Sequence, residues 1–355
     1  MMGRMSTSTA TAAKRPSGAS ADFDLVHAPL LRFFAELVAE LGGDAPALMR
    51  GIGLDSHASA DGAPHATYRQ AVALIEHAAT ALRCPDFGMR LALRQSDDVY
   101  GPLGSVMRHS ATFGDALEYV STHTYAHSLA ARVWLKRLRG GGVFVGHDIL
   151  LDRLPHRSQA MEQLLLVGHL STLEITGGRA RARRVHFRHL QISPRKTYRR
   201  HFGCDVRFGQ NEDGIVYSDR DLASPIVASD EHAYHRAIAF IDATFTQQRP
   251  PLHAQVRGLI MQRLNGDDCT NARIAADLGL HLRTLHRRLA AEGTSFQRIK
   301  DEVRRDLVLY YSEQTDLDFA RVSERLGFAE QSVLTRNCRR WFAAPPTRLR
   351  TRRHP

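Results

Sequence analysis

The sequence predicts an α+β amino-terminal domain followed by an all-α carboxy-terminal domain, in which two helix-turn-helix units are joined by a long helix. The first observation behind this is a duplication. Residues 272–289 and 319–336 each contain a short helical segment, a glycine and a basic helical segment. One such pattern is weak, because many helix pairs look alike, but two in tandem are a much stronger signal. The second observation is that helical and strand periodicities alternate before residue 250.

The amino-terminal part mixes these two patterns without a repeat or a low-complexity tract. Apolar residues at helical spacing predict helices at 30–41, 68–82, 113–127, 159–175 and 230–247. Alternating apolar residues predict a hairpin of 132–138 with 143–150, a strand at 185–189, and a second hairpin of 206–208 with 215–217. This order favours one α+β domain.

The composition predicts where that domain begins and ends. Residues 1–21, rich in Ser, Thr and Ala, are expected to form a disordered tail before a domain at 22–248. Pro250 and Pro251 lie in the expected linker, 249–252, because consecutive prolines stop a helix and stiffen the join. The helix-turn-helix domain then occupies 253–355.

Spacing within the duplicated segment predicts how its two units are arranged. Gly279 and Gly327, each expected at a turn that favours a positive φ, lie 48 residues apart. Between them, 295–314 has a helical apolar stripe made of Phe296, Ile299, Val303, Leu307 and Tyr310 or Tyr311. Such a helix is roughly 30 Å long, close to the roughly 34 Å between successive major grooves of B-DNA. One chain can therefore present two helices to adjacent grooves.

Helical geometry divides the second helix of each unit into a packing face and an outward face. In the first unit the packing residues are Leu282, Leu285 and Leu289, and in the second they are Val333, Cys338, Trp341 and Phe342. The outward residues are Arg283, His286 and Arg287 in the first unit, and Gln331, Thr335 and Arg336 in the second. Arg and Gln are common readers of guanine and adenine edges. The alternative is that these are ordinary solvated helix faces.

Charge and cysteine content restrict the class of protein. The 355 residues carry a net charge of +11, and residues 252–355 hold 19 Lys and Arg against 12 Asp and Glu, as expected for a DNA-binding domain. Residues 179–200 hold nine Lys and Arg and no acid, which indicates either an anion-binding face or solvated edges that balance acidic neighbours. Four separated cysteines argue against disulfides or a zinc finger. The sequence has no run of 18 apolar residues, so it predicts no membrane span.

Residues 265–353 resemble the DNA-binding domain of the AraC/XylS family of bacterial transcriptional regulators. The resemblance is carried by 274–279, 284–296, Val303-Arg304, and 326–328 through Arg340-Trp341-Phe342 to Pro346. It implies that base edges are contacted by Arg283, His286, Arg287, Gln331, Ser332 and Arg336. Three positions depart from the family pattern: Asn337 replaces a small residue, Cys338 a Phe, and Ala343 a Gly. These changes suggest a less stable second unit, or one that reads less sequence.

The amino-terminal part resembles the effector domain of the subgroup that includes the ornithine-utilisation regulator. The matching stretches are Tyr100–Gly104, Ala116–Tyr119, Val185–His189, Tyr198–Cys204 and Val206–Gly209. The resemblance implies a domain that senses a small molecule or mediates self-association. It does not extend to the jelly-roll arm of the arabinose regulator, so arabinose is not expected as the ligand.

The residues that hold an effector are harder to predict. Tyr119 and His123 lie one helical turn apart, and with Trp134 they are candidates for a polar pocket wall, although ordinary surface or core is the simpler alternative. His123 and His127 share a helical face but lack a third ligand, so no metal is expected. No cofactor is expected either.

Together these features predict a sequence-specific regulator, and an activator rather than a repressor. The expected partners are promoter DNA with direct repeats, a small-molecule effector, RNA polymerase and a second copy of the chain, in the cytoplasm at the nucleoid and not at a membrane. An architectural DNA-binding protein is one alternative. An enzyme fused to a DNA binder is another, but the sequence shows no Gly-x-Ser-x-Gly or His-Glu-x-x-His motif, so no enzyme is expected.

Overall fold

The structure is a computed structural model that describes residues 22–54, 66–154, 156–245, 250–266 and 268–350. Four predicted parts lie outside the described residues: the tail at 1–21, residues 246–247 of the last amino-terminal helix, Arg249 of the linker, and residues 351–355 of the carboxy-terminal domain. The predicted fold class is confirmed: helices and a sheet make up the amino-terminal part, and helices alone make up the carboxy-terminal part.

Ten helices are described in the amino-terminal part. They are α1 (Phe34–Glu40), α2 (Ala45–Gly51), α3 (Tyr68–Ala81), α4 (Phe87–Ala92), α5 (Pro102–His109), α6 (Phe113–His123), α7 (Ser158–Ile175), α8 (Arg195–Phe202), α9 (Asp219–Leu222) and α10 (Glu231–Phe245). All five predicted helices are present. The third ends at His123 instead of residue 127, and a single 3₁₀ turn, Thr124–Ala126, follows it.

Three of these helices, α3, α6 and α9, begin at capping boxes that the sequence encodes. The Thr67 hydroxyl accepts a hydrogen bond from the Gln70 backbone N–H, and the Gln70 side chain accepts one from the Thr67 N–H. Thr112 and Asp115 make the same reciprocal pair at the start of α6. Each box satisfies backbone donors that have no partner within the helix, which fixes where the helix begins.

The five described strands form one mixed sheet in the order β1-β2-β5-β3-β4. They are β1 (Ala131–Arg137), β2 (Val143–Ile149), β3 (Arg184–His186), β4 (Asp205–Arg207) and β5 (Gly214–Tyr217). The predicted hairpin of β1 and β2 is confirmed, with positive φ at Gly141 and Gly142 in its turn.

The second predicted hairpin is wrong. Strand β3 lies between β4 and β5, antiparallel to β5 and parallel to β4. Helix α8 connects β3 to β4, and a crossover of this kind returns the chain parallel to the strand it left. Val185, fully buried, takes the central position opposite Ile215.

Helix α7 lies at the centre of the amino-terminal core. Fourteen of its 18 residues are buried, as expected of a helix covered on all sides by α3, α4 and the sheet. The apolar core extends from Leu30 to Phe245.

The carboxy-terminal part has a hydrophobic core of its own. Its helices are α11 (Leu252–Arg263), α12 (Asn271–Asp277), α13 (Leu282–Ala291), α14 (Phe296–Gln314), α15 (Phe319–Arg325), α16 (Gln331–Phe342) and α17 (Pro346–Arg350). Helix α14 contacts α11 and α17, and the buried Ile260, Val303 and Leu334 belong to the same core. Leu252, the last residue of the predicted linker, is already helical.

Polar contacts join the two parts. The Leu190 N–H donates to the Gln314 carbonyl at the end of α14, 3.2 Å away. Arg325, at the end of α15, donates to the Gly209 carbonyl, 2.7 Å away, in the segment between β4 and β5. The amino-terminal sheet region therefore contacts both the connecting helix and the second helix-turn-helix unit.

Candidate DNA-binding surface

Helices α12 and α13 form the first helix-turn-helix unit. Thr270 caps α12, and the turn at Gly279 has a φ of 64°, as the sequence predicted. Leu285 and Leu289 are fully buried against the domain core, whereas Leu282 is only partly buried. The packing face of α13 is therefore the predicted one, which leaves its opposite face free to meet a ligand.

The predicted outward residues of α13 are exposed to solvent. Arg283, His286 and Arg287 all lie on the exposed side, and His286 Nε2 is 3.2 Å from the Asn271 amide nitrogen on α12. Neither arginine side chain forms an ion pair within the described part of the chain. By contrast, the exposed Arg298 at the start of α14 pairs with Glu302 at 3.1 Å. Two unpaired guanidinium groups on one helix face are suited to bind phosphates or guanine edges.

Helices α15 and α16 form the second unit. Its turn glycine, Gly327, has a φ of 61°. Leu334 and Cys338 are both fully buried, while Val333 and Trp341 are only partly buried. Leu334 was not among the predicted packing residues, although its spacing of four residues from Cys338 is the signal for a shared face. Burial raises the pKa of the Cys338 thiol to about 11, so the thiol packs as a small neutral group.

The predicted polar residues on the outward face of α16 differ in their exposure to solvent. Gln331, Ser332 and Arg336 are exposed, but Thr335 is partly buried and its hydroxyl donates to the Gln331 carbonyl at 3.1 Å. The Ser332 hydroxyl donates to the Glu330 carboxylate at 2.9 Å. Gln331 and Arg336 are therefore the members of this face best placed to meet a base edge.

Helix α14 sets the distance between the two units. Its 19 residues correspond to roughly 28 Å, and Ser295 caps its first turn. Ile299, Val303 and Leu307 are buried as predicted. A rigid helix of this length, joining the two helix-turn-helix units in the chain, has the dimensions needed for neighbouring major grooves.

Arg304, on α14, fixes the second unit against this helix. Its guanidinium donates to the Leu326 carbonyl at 2.9 Å and to the Gly327 carbonyl at 2.7 Å, and lies 4.2 Å from the centre of the Phe328 ring. This positioning role was not predicted from the sequence. Its partners are backbone carbonyls, which leave no mark on the residue types around Arg304.

The basic segment 179–200 is partly neutralised in the fold. Arg183 pairs with Asp221 at 2.8 Å, and Arg184 pairs with Asp205 at 3.3 Å. Arg188 is buried and lies 3.3 Å from Asp148. These pairs favour the interpretation that the segment balances acidic neighbours.

The three candidate effector residues lie in different surroundings. Tyr119 and His123 stack with their ring centres 3.9 Å apart, and His123 faces a groove that also contains Pro250 and Leu278. Trp134 lies on β1, where its Nε1 donates to Asp148 at 2.7 Å. The structure thus brings Tyr119 and His123 together, and it places Trp134 in the buried charge cluster of Asp148 and Arg188.

The described residues contain neither a metal-binding cluster nor a membrane-spanning helix. No group of three or more His, Cys, Asp or Glu side chains there is arranged to hold a metal ion. No helix there has the length and apolar character needed to cross a bilayer.

Comparisons with known proteins support both halves of this architecture. Residues 42–226 match the family described as the arabinose-binding domain of AraC transcription regulator, and residues 274–352 match the helix-turn-helix domain family. The first description contains the name of a sugar. The matched residues form a single five-stranded sheet with helices, which differs from a two-sheet jelly roll, and the sugar is not assigned to this chain.

Three relatives illustrate the similarity. The HTH-type transcriptional regulator VirS of Mycobacterium tuberculosis is 31% identical over 328 residues, which cover 92% of this chain and 96% of VirS. The ornithine utilization regulator of Pseudomonas aeruginosa is 25% identical and covers 75% of this chain and 78% of its own length. The transcriptional activator NphR of a Rhodococcus species is 37% identical over 92 residues, 26% of this chain and 28% of NphR.

Proposed function

This chain belongs to the AraC family of transcriptional regulators, and we propose that it reads promoter DNA by placing α13 and α16 in adjacent major grooves. The observation that carries this proposal is the pair of exposed polar helix faces, on α13 and α16, in two units that one 19-residue helix connects. The arrangement supplies two reading helices from one chain, whereas a protein with a single unit needs a dimer to reach two grooves.

Each outward residue is assigned a proposed contact with DNA. Arg283 and Arg287 contact guanine edges or phosphates, because neither guanidinium is held by a carboxylate within the described residues. Gln331 and Arg336 do the same from α16, and adenine is the base that Gln pairs with best. His286 and Ser332 lie beside them and add hydrogen bonds. Thr335, whose hydroxyl is engaged in its own helix, contributes its methyl group to a thymine contact.

The amino-terminal domain is proposed to sense a small molecule and to pass that signal to the DNA-binding domain. The family match over 42–226 supports an effector-binding role. The contacts of Leu190 with Gln314 and of Arg325 with Gly209 give the signal a physical path, since they join the sheet region to α14 and α15.

Activation of transcription, with RNA polymerase as a partner, is proposed in preference to repression. NphR, which is 37% identical to this chain over 92 residues, is named an activator. The chain is also proposed to pair with a second copy at direct repeats. Val227 and Phe240 are 64% and 55% exposed, and a contact between copies would bury these apolar side chains. Its proposed place is the cytoplasm, on the nucleoid.

The proposed reading face is tested by an Arg287→Ala variant of the full chain. We expect it to relax base preference at one position of the selected site and to cost roughly 1–3 kcal/mol of binding free energy on that site. Arg298→Ala is the matched control, because Arg298 is equally cationic and exposed but is paired with Glu302 away from the reading face. Competition binding against duplexes with each single base change measures both variants.

The same measurement separates the alternatives. If Arg287→Ala weakens binding to every duplex equally, Arg287 is a phosphate contact. If the unchanged protein binds all duplexes alike, with a steep salt dependence, it is an architectural protein. Turnover of a metabolite panel by the purified chain would instead support an enzyme, which we propose it is not.

A further inference from the structure

A small apolar cavity lies inside the amino-terminal domain, between α5, α6, α7 and one face of the sheet. Its volume is about 80 Å³. Val133 of β1, Val145 and His147 of β2, and Ile215 and Tyr217 of β5 line the sheet side. Because side chains alternate along a strand, the neighbours Trp134 and Asp148 point to the opposite face. None of the three sequence candidates, Tyr119, His123 and Trp134, is among the described residues that line this cavity.

The cavity wall carries no charge. None of the described lining residues is Lys, Arg, Asp or Glu. Burial lowers the pKa of His147, so its imidazole is neutral at physiological pH, and burial raises the pKa values of Tyr100 and Tyr217, so their hydroxyls stay protonated. A charged ligand placed here would lose its hydration without gaining a counter-ion, which is strongly unfavourable.

Among the described residues, His147 lines the cavity and has a polar atom without a partner, and two further unpartnered polar atoms belong to residues outside the lining. His147 Nε2, His127 Nδ1 and the Tyr68 hydroxyl have no hydrogen-bond partner within the described part of the chain. His127 and Tyr68 are at least 96% buried, and the His127 ring lies 6.3 Å from Tyr68 and 6.5 Å from Tyr100, which lines the cavity. Buried polar atoms are nearly always hydrogen-bonded in folded proteins, so the unpartnered His147 Nε2 on the cavity wall indicates a place for a polar group from outside the chain.

We propose that this cavity is the effector site, and that the effector is an uncharged molecule with an apolar body and one hydroxyl or carbonyl group. The inference rests on the proposed function of the domain as a small-molecule sensor. The apolar body contacts the valines, Ile215 and the faces of α5–α7, and the polar group bonds to His147. As it stands, the cavity holds only a few non-hydrogen atoms, since a water molecule occupies roughly 30 Å³ in the liquid. A larger effector can enter only if the helices α5–α7 move away from the sheet.

The position of the cavity also connects it to the DNA-binding domain. Strand β2 presents His147 to the cavity and Asp148 to the opposite face. Asp148 accepts hydrogen bonds from Trp134 and from Arg188. Arg188 in turn donates to the Asn211 carbonyl at 2.7 Å, one residue beyond the Gly209–Gln210 carbonyls that hold Arg325. A ligand that moves β2 therefore moves residues 209–211, the segment whose backbone carbonyls bind Arg325 of the second helix-turn-helix unit.

The test uses full-length protein with labelled methyl groups and three matched probes: butan-1-ol, butyrate and butylammonium. We expect butan-1-ol to shift the methyl resonances of Val133, Val145 and Ile215 in a saturable way. The two ions should bind at least ten-fold more weakly. Equal or tighter binding of an ion, or shifts that map away from these methyl groups, would overturn the proposal.

Glycine-to-alanine substitutions test independently whether butan-1-ol binds in this cavity. In Gly168→Ala the new Cβ would lie 3.3 Å from the Tyr100 hydroxyl, inside the cavity, while alanine favours the helix that holds it. We expect butan-1-ol affinity to fall at least five-fold in this variant and to be unchanged in Gly51→Ala, whose Cβ faces His77. An unchanged affinity in Gly168→Ala contradicts the site. Sequence-specific DNA binding is measured separately on the same preparations, so a failure here is distinguishable from a failure of the regulator function.

Discussion

The two turn glycines, Gly279 and Gly327, have the same backbone conformation but different surroundings. Gly279 and Gly327 occupy the same position in the two helix-turn-helix units, with φ of 64° and 61°. A Cβ at Gly279 would meet nothing within 4 Å, but a Cβ at Gly327 would lie 2.4 Å from the Leu264 carbonyl oxygen. Gly327 is therefore required both for its conformation and for the close approach of the backbone after α11.

This difference predicts unequal costs of substitution. Gly279→Ala is expected to lower the free energy of unfolding by about 1–2 kcal/mol, the cost of a left-handed alanine. Gly327→Ala is expected to lower it further, because the backbone at Leu264 must also move. Urea unfolding of both variants measures the two losses, and an equal loss would show that the contact with Leu264 is relieved at no cost.

Sequence spacing predicted single residues well where a helix has one packed face. The exposed Arg283 and Arg287 and the buried Leu285 and Leu289 follow from a 3.6-residue period alone. Arg304 was not predictable in this way, because its partners are backbone carbonyls that meet it only after α14 and α15 have packed. The apolar cavity was missed for the same reason, since its lining comes from six helices and strands and from Tyr100 in a 3₁₀ turn.

At the scale of elements, helix α16 ends in a strained conformation. Ala343, at the position where the family commonly has Gly, has a φ of 52° as the residue that follows the helix. A left-handed residue there is usually glycine, because other residues pay a steric cost for their Cβ. The departure noted in the sequence therefore has a local physical consequence for the stability of the second unit.

Ala343→Gly is accordingly expected to stabilise the protein by about 1 kcal/mol. The matched control is Ala239→Gly in the exposed interior of α10, which should destabilise by about the same amount, because glycine disfavours a helix. Thermal unfolding compares the two variants, and a lower midpoint for Ala343→Gly would contradict the assigned strain.

Local elements were predictable, but non-local pairing was not. The β1–β2 hairpin has three consecutive glycines at its turn, and that signal lies within the segment itself. The order of β3, β4 and β5 depends on the crossover through α8, for which no nearby residue pattern gives a register.

At the scale of the whole molecule, the interface between the two parts ties the sensor domain to the second helix-turn-helix unit. Arg325 donates to the Gly209 carbonyl at 2.7 Å and lies 5.6 Å from the centre of the Tyr311 ring. Hydrogen bonds to charged groups contribute roughly 1.5–3 kcal/mol, so this contact stabilises the interface appreciably.

Arg325→Ala is expected to loosen the interface. The amide of Leu190, which donates across it to Gln314, should then exchange its hydrogen faster with solvent. Arg321→Ala is the control, because Arg321 lies one turn earlier on α15 with its side chain exposed. Hydrogen exchange measured by NMR distinguishes the variants, and unchanged exchange at Leu190 in Arg325→Ala would mean that this arginine does not hold the domains together.

A nuclease footprint measures whether one chain reads two neighbouring major grooves. Full-length protein is bound to duplexes selected from random sequence, and protection is mapped base by base. Two-groove reading predicts two protected major-groove segments about 10 base pairs apart on one face of the duplex. Protection of a single groove would contradict it and show that α16 does not read DNA, and the absence of any selected sequence would contradict specific recognition altogether.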